Sequence, residues 1–178
     1  PTATASTGGP SGKTLLRTYV GQIAVGSDTY ISSRQPGNNF ALSNLKVSGH
    51  ISNTTPSTER ALLKFDVASL PSNIAIVSAY IAIEVLSGPL TDNTLYCYEL
   101  GTNWTPSQVT WTQRDMAYPW IKPGGQEGTE FYIGTAGAFF PNFNAMNAPK
   151  AVKVPFNVPM VQFWLANPGR HNGIIIKN

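Results

Sequence analysis

The segment Thr58–Val67 alternates between polar and apolar side chains, and this alternation limits the folds open to the chain. On an extended backbone Ala61, Leu63, Phe65 and Val67 point to one side, which is typical of a β-strand with one buried face. The opposite, mainly polar side carries Arg60, Leu62, Lys64 and Asp66. After a turn that contains proline, Tyr80–Val85 is apolar almost throughout. It therefore predicts a strand near the middle of a sheet, covered on both sides, and such a strand needs a second sheet to cover it.

Shorter segments along the chain predict further strands. Gly26 is expected to bend or bulge the strand around it, because glycine often marks a break in the ladder. Over residues 114–149 glycine and proline interrupt the pattern so often that only short strands such as Glu130–Ile133 are predicted, in a loop-rich excursion with many aromatic side chains. The other predicted strands are Gln22–Val25, Asp28–Ser33, Asn93–Leu100, Ala151–Val154 and Ile174–Ile176.

One helix is predicted, close to the C-terminus. Asn157 is a suitable N-cap residue, and Asn167–Gly169 supplies the turn that ends the helix. Its apolar face consists of Met160, Val161, Trp164 and Leu165. Together with the strands, this helix predicts an all-β fold: a jelly-roll-like β-sandwich of two antiparallel sheets with one short C-terminal helix. Its core is expected to contain Ala61, Leu63, Phe65, Ile81, Ile83, Trp164 and Ile175.

The composition predicts a protein that acts outside the cell. Only 12% of the 178 residues are charged, while Ser, Thr, Asn, Gly and Pro are plentiful, a balance common in secreted all-β proteins. The net charge of +3 comes with no run of Lys or Arg that could follow a phosphate backbone, so nucleic acid is not an expected partner. No apolar run approaches the roughly 20 residues that span a bilayer, and we expect no membrane insertion. A secreted chain that begins at Pro1 would already have lost its signal peptide, so we expect an extracellular or cell-surface location.

The acidic residues and histidines do not predict an enzyme. No two of the nine carboxylates have a spacing that forces them together across a cleft, and the sequence has no motif of a serine hydrolase, a zinc protease or a phosphate loop. We expect no cofactor, although a structural calcium could be held by oxygen ligands. The candidate calcium ligands are Asp28, Asn38, Asn39 and Glu59.

Cys97 is expected to have a packing role. It is the single cysteine and has no basic neighbour in sequence, so a small buried side chain is the simplest interpretation.

A series of motifs is similar to the DNRLRE domain family, in the same order along the chain. The motifs are Asp28–Ile31, Pro36–Phe40, Asn44–Val47, Glu59–Asp66, the segment from Trp104 to Trp111, and the segment from Phe156 to Lys177. Carbohydrate-binding modules of the alginate-binding type are grouped with this family, whose members occur in surface proteins and polysaccharide-degrading enzymes of bacteria and archaea. We therefore divide the chain into an N-terminal extension, residues 1–20, and a DNRLRE-like β-sandwich domain, residues 21–178. Trp104 and Trp111 match positions of the family, and this resemblance implies that they pack in the core or at its rim rather than form a ligand platform.

Two functions follow, and the sequence favours the first by a small margin. In this hypothesis the chain is a non-catalytic, secreted subunit of an extracellular surface fibre. It self-assembles head-to-tail into a homopolymer by donating its N-terminal strand to the sheet of the next copy. The β-prone segment Thr14–Val20 precedes the family-like region, where it could instead be an edge strand of its own domain. The residues of the donated strand are Leu15, Leu16, Arg17, Thr18, Tyr19 and Val20.

The alternative hypothesis, which the resemblance implies, is a carbohydrate-binding module that recognises an acidic polysaccharide. Sugars stack on exposed aromatic rings, and basic side chains attract their acidic groups. The candidate glycan-binding residues are Tyr118, Trp120, Arg114 and Lys122, with Arg34 and Lys46 as further bases. The sequence does not distinguish exposed rings from buried ones.

Overall fold

The computed structural model describes residues 5–8, 14–17, 25–49, 57–71, 74–88, 92–125, 131–144 and 146–178. The chain divides into two units. The sheet unit comprises Val25–Phe65, Asn93–Phe143 and Asn172–Asn178. The helix unit comprises Pro1–Ala24, Asp66–Asp92 and Asn144–His171.

The strands alternate with long connections, and the described elements run in the following order. They are β1 (Ala5–Gly8), β2 (Thr14–Arg17), β3 (Val25–Ser32), β4 (Glu59–Phe65), β5 (Tyr80–Val85), β6 (Asn93–Leu100), β7 (Phe131–Phe143), β8 (Lys150–Pro155), the α-helix α1 (Val158–Ala166) and β9 (Ile174–Lys177). Two short 3-10 turns, Val67–Ser69 and Pro168–Arg170, lie between them.

In the sheet unit, the described strands form one antiparallel sheet with the order β3, β4, β9, β6, β7. The register of β3 against β4 shifts between Val25 and Ser27, so the bulge predicted at Gly26 is confirmed. The predicted strand Asn93–Leu100 is confirmed with the same bounds. Residues 22–24 of the predicted first strand lie outside the described residues.

The strand β4 is buried more completely than its alternating sequence predicts. Ala61 and Leu63 are buried, as expected, but Leu62 between them is 0% exposed. The interpretation of β4 as a strand with one buried face is therefore wrong at its centre, where both faces of the strand are covered. Phe65, predicted for the core, is only half-buried at the end of the strand.

The strand β7 is the largest departure from the sequence-based expectation. Residues 131–143 form a single strand that pairs with β6, where only short strands within a loop were predicted. The pairing contains several register shifts, and β7 lies at one edge of the sheet that the described strands form. Pro141 is accommodated there because an edge strand can lack a ladder donor on its outer side. Glu130, the predicted start of a short strand, lies outside the described residues.

In the helix unit, β5 pairs with β8 and β1 pairs with β2, each as an antiparallel two-stranded sheet. The prediction that Tyr80–Val85 is covered on both sides is wrong, because Ala82 and Glu84 are exposed while Ile81 and Val85 are buried. Ile83, another predicted core residue, is half-buried. The nearly continuous apolar segment therefore forms a strand with one exposed face.

The helix α1 agrees with its prediction in bounds, cap and face. The Asn157 side chain accepts a hydrogen bond of 2.9 Å from the backbone N–H of Met160, which satisfies one of the free donors of the first turn. The buried side chains are the four predicted from the spacing, Met160, Val161, Trp164 and Leu165. The ring centroid of Trp164 lies 5.6 Å from that of Phe156 and 4.3 Å from that of His171.

Part of the predicted donated strand lies among the described residues of the N-terminal extension. In β2, Thr14–Arg17 pairs with Ala5–Gly8 of the same chain. Thr18, Tyr19 and Val20 of the predicted donated strand lie outside the described residues. Donation of this strand to a neighbouring copy, and the domain boundary near residue 20, stay predictions.

The fold class predicted from the sequence is confirmed. The described chain is mostly β, its sheets are antiparallel and one α-helix lies near the C-terminus, as expected for an all-β sandwich. Of the predicted core residues, Ala61, Leu63, Ile81, Trp164 and Ile175 are buried.

Candidate functional site

The charged side chains of the five-stranded sheet are sorted by face. Residues that pair directly across two strands project to the same side of a sheet. Leu62 pairs with Thr29 on one side and with Ile175 on the other, and Ile175 pairs with Tyr98; we call their side of the sheet the Leu62 face. Within the five described strands, every cation lies on this face and every carboxylate on the opposite one. The cations are Arg60, Lys64 and Lys177, and the carboxylates are Asp28, Glu59 and Glu99.

The segment Gly101–Gly125, which we call the covering loop, packs over the centre of the Leu62 face. Two of its indoles are fixed by hydrogen bonds to backbone carbonyl oxygens. The Nε1 of Trp104 donates to Asn172 over 2.8 Å, and the Nε1 of Trp120 donates to Thr110 over 2.9 Å. The buried cluster they complete consists of Ile31, Leu62, Leu100, Trp104, Val109, Trp120 and Ile175.

Burial corrects one of the predicted glycan-binding residues. Trp120 is 3% exposed, so its ring offers no face to a sugar, and its prediction as a binding platform is wrong. Its neighbour Trp111 is half-buried against the same cluster, and Trp104 is 1% exposed. The packing roles predicted for Trp104 and Trp111 are confirmed.

The end of the covering loop is held by Arg60. Its guanidinium donates to the carbonyl oxygens of Gly124 over 2.6 Å and Gly125 over 2.7 Å, and it lies 5.3 Å from the ring centroid of Trp111. These bonds make Arg60 part of the loop's support. A cation on the sheet thereby fixes the position of the loop above it.

The exposed edge of the covering loop brings Arg114 and Tyr118 together. The Tyr118 side chain is 57% exposed, and the Arg114 guanidinium lies 4.8 Å from its ring centroid. Arg114 is positioned by two further bonds of 3.1 Å, to the Thr102 hydroxyl and to the Asn103 carbonyl oxygen. The carboxylate of Asp115 accepts from the backbone N–H groups of residues 117 and 118, and therefore acts within the turn.

Lys64 reaches the same place from strand β4. Its Nζ donates to the Asn103 side-chain oxygen over 2.6 Å and lies 5.6 Å from the ring centroid of Trp104. Burial lowers the pKa of Lys64, because the charged ammonium is less well hydrated in the folded protein than in water. Across the described residues, neither Lys64 nor Arg114 has a carboxylate partner. We call Lys64, Asn103, Arg114 and Tyr118 the Asn103 cluster.

Two members of this cluster were not found from the sequence. Lys64 and Asn103 are 39 positions apart, so nothing in their spacing joins them. Lys64 could have been found from its spacing, because Arg60, Leu62 and Lys64 are two residues apart on one strand and project to the same face. Of the predicted bases, Lys122 is exposed and none of its described contacts joins it to the cluster.

The remaining predicted bases lie elsewhere. Lys46 lies 5.5 Å from the ring centroid of Tyr30, a buried residue that projects from the face opposite to Leu62 and stacks on Phe40 at 4.2 Å. Arg34 is exposed in the loop after β3. Neither contributes to the Asn103 cluster.

Asn39, one of the candidate calcium ligands, has a structural role in the part of the chain that the structure describes. Among those residues no group of three or more His, Cys, Asp or Glu could hold a metal ion. The Asn39 amide donates to the carbonyl oxygens of Pro106 and Val109, each over 2.7 Å, and so ties the loop after β3 to the covering loop. The structural calcium stays a prediction.

Cys97 agrees with its prediction as a small buried side chain. It is 0% exposed, and desolvation raises the pKa of its thiol to about 12. The thiol is therefore neutral at ordinary pH, which makes it a poor nucleophile.

These features define a class of all-β domains that present cations and an exposed aromatic ring on one surface, as binding domains do. The model of Carbohydrate-binding module family 96 matches residues 20–122, more than half of the chain, and the protein belongs to this family. The match includes β3, β4, β6 and most of the covering loop. A search of curated proteins found no match.

The family membership settles part of the sequence-based expectations. The relation to carbohydrate-binding modules is confirmed, and the family is one of binding modules, in agreement with the expectation that the chain is not an enzyme. The match supports the carbohydrate-binding hypothesis and gives no support to a fibre subunit. Within the described residues, no helix is long and apolar enough to cross a membrane.

Proposed function

We propose that the protein binds an acidic polysaccharide outside the cell and that the Asn103 cluster is the binding site. The observation that supports this most directly is the sorting of charge, because the cations of the sheet share one face and its carboxylates lie on the other. An anionic chain that approaches the Leu62 face meets cations without passing a carboxylate of the sheet. We also propose that the chain is related to the DNRLRE domain family and that it acts at an extracellular location.

The groups of the cluster suit the parts of an acidic sugar. The exposed ring of Tyr118 can stack on the apolar face of a pyranose, as aromatic rings do with flat apolar surfaces. Arg114 has a fork of donors suited to a carboxylate, and its bonds to Thr102 and Asn103 fix its orientation before the ligand arrives. Lys64 adds a point charge, and the amide nitrogen of Asn103 is a further donor for a sugar hydroxyl.

Desolvation of Lys64 increases its value as a binding group. Its pKa is lowered because part of its hydration is lost in the folded protein. A carboxylate placed beside it would raise this pKa again, since opposite charge favours the charged form. Part of the cost of removing water from the ammonium is thus met on folding, before the ligand binds.

The test compares single substitutions in affinity electrophoresis through gels that contain polygalacturonate, with a neutral β-glucan gel as reference. Arg114→Gln and Tyr118→Ala should each weaken retention by about tenfold, the size of one charged hydrogen bond or one stacking contact. Arg34→Gln is the matched control, because it removes the same charge from an exposed arginine outside the cluster. If Arg34→Gln weakens retention as much as Arg114→Gln, net charge alone explains binding and the proposal is wrong.

A further inference from the structure

A second aromatic surface lies on the Leu62 face, on the strands themselves. Tyr96 and Tyr98 are two residues apart on β6, so both rings project from the same side of the sheet. Their centroids are 6.1 Å apart and their planes differ by 23°, so the rings are nearly parallel. Tyr96 is 39% exposed. Lys177, the partner of Tyr96 on β9, places its ammonium 6.0 Å from the ring centroid of Tyr98.

This surface lies at the opposite end of the face from the Asn103 cluster. Strands β4 and β6 run in the same direction, because both are antiparallel to β9 between them. Lys64 and Asn103 lie at or beyond the ends of these strands, whereas Tyr96 lies in the middle of β6. At roughly 3.3 Å per residue, Tyr96 is about 13 Å from Leu100 along the strand, and the Asn103 cluster lies beyond Leu100.

The two rings have different surroundings. Tyr98 packs against the buried cluster under the covering loop and so contributes to the core. Tyr96 continues the same row of rings toward solvent. Two nearly parallel rings with a lysine on the adjacent strand form a flat, half-apolar surface beside a positive charge, which suits the face of a sugar that bears an acidic group.

We propose that Tyr96, Tyr98 and Lys177 form a second sugar-contact surface, so that one long acidic polysaccharide chain touches both ends of the Leu62 face. This inference rests on the proposed function for its ligand class. Two contacts on one chain raise the effective concentration of the second once the first has formed, and polymers therefore bind more tightly than oligosaccharides too short to span both. The protein would thus select for chain length.

The experiment measures affinity by calorimetry for polygalacturonate and for its trisaccharide, using the full chain. Tyr96→Ala and Lys177→Gln should each weaken polymer binding by about three- to tenfold, while Tyr96→Phe, which keeps the ring, should bind as the parent does. Lys153→Gln is the matched control, since Lys153 also lies over a tyrosine ring, 4.5 Å from that of Tyr80, but in the helix unit. Thermal melts of each variant establish that it is folded.

The outcomes separate this inference from the proposed function. If Tyr96→Ala and Lys177→Gln bind the polymer as tightly as Lys153→Gln does, the second surface is refuted, whatever the Asn103 cluster variants show. If the substitutions at Arg114 and Tyr118 change nothing while Tyr96→Ala weakens binding, the proposed site at the cluster fails and the second surface stands. Equal affinity of the parent for trisaccharide and polymer would also overturn the selection for chain length.

Discussion

Gly124 lies so close to Trp111 that a β-carbon at position 124 would stand 2.6 Å from the ring atoms Cζ2 and Cη2. The backbone N–H of Gly124 also donates to the Trp111 carbonyl oxygen over 2.6 Å, and its φ is +88°, a conformation that L side chains rarely adopt. The covering loop therefore closes at a position where only glycine fits. This contact fixes the loop that bears the Asn103 cluster.

Gly124→Ala should lower the free energy of unfolding by about 1–3 kcal/mol, from backbone strain and the clash with the indole. Urea denaturation measures the change. The matched control is Gly37→Ala, because a β-carbon at position 37 meets nothing within 4 Å, and its effect should stay within about 0.5 kcal/mol. Equal losses for the two variants would show that the Trp111 contact does not restrict position 124.

Leu62→Ala should cost about 2–5 kcal/mol of stability, because the side chain is completely buried between the sheet and the covering loop. The interpretation of β4 from its alternation predicts instead a small change, since it assigns Leu62 to the polar face. Leu42→Ala removes the same atoms from an exposed site and should be nearly neutral. A loss below about 0.5 kcal/mol at Leu62 would restore the original interpretation.

Trp120→Ala should destabilise the protein by about 3–5 kcal/mol, whereas a Trp120→Phe variant that stays folded should keep its affinity for polygalacturonate. The ring is buried and its Nε1 donates to the Thr110 carbonyl oxygen, so its role is to hold the covering loop. Trp120→Phe keeps most of the volume and should cost less, chiefly through the lost hydrogen bond. Weakened binding by a fully folded Trp120→Phe variant would return Trp120 to the list of ligand contacts.

Local sequence patterns predicted the elements whose buried and exposed positions recur at regular spacing along the chain. The helix α1 was predicted with its cap because Asn157 and the spacing of Met160 and Trp164 are local signals. The strand β7 was missed because Gly134, Gly137 and Pro141 interrupt its pattern, and an edge strand tolerates such residues. Burial of Leu62 was missed because the covering segment is distant in sequence.

The candidate site was predicted in part for a similar reason. Arg114 and Tyr118 lie within one turn, and their residue types suit a sugar site, so they could be named from sequence. Trp120 was a candidate by residue type alone, because a tryptophan ring can serve as a sugar platform. Only the packing of the covering loop shows that this ring is buried. Lys64 and Asn103 meet only after β4 and the covering loop are placed side by side.

Cys97 should make stability depend on alkaline pH. The pKa of its thiol is raised by burial from 9.0 to about 12, so the folded protein keeps a proton that the unfolded chain loses above about pH 9. This contribution is complete below pH 9 and is lost as pH rises toward 12, by about 4 kcal/mol in all. Between pH 8 and pH 10.5 the urea midpoint should fall less in Cys97→Ala than in the parent. An equal fall of the midpoint in the two proteins would contradict a buried thiol.

The N-terminal strand β2 provides the remaining test of the fibre hypothesis. Among the described strands, β2 pairs with β1 alone, through contacts such as Ser6 with Leu16. An edge strand presents unpaired backbone groups on its outer side, and those groups can pair with a strand of another copy. A head-to-tail contact of this kind does not close on itself and would generate a filament.

Removal of residues 1–20 should separate the two hypotheses in one preparation. The family match begins at residue 20, so the shortened protein should keep its affinity for polygalacturonate in calorimetry. If β2 is donated between copies, the intact chain should form long polymers in electron micrographs, the shortened chain should not, and a peptide of residues 13–20 should bind the shortened chain. An intact chain that stays monomeric at high concentration, or a shortened chain that still forms fibres, would show that the donated strand does not assemble this protein. The carbohydrate-binding function would then remain without a fibre.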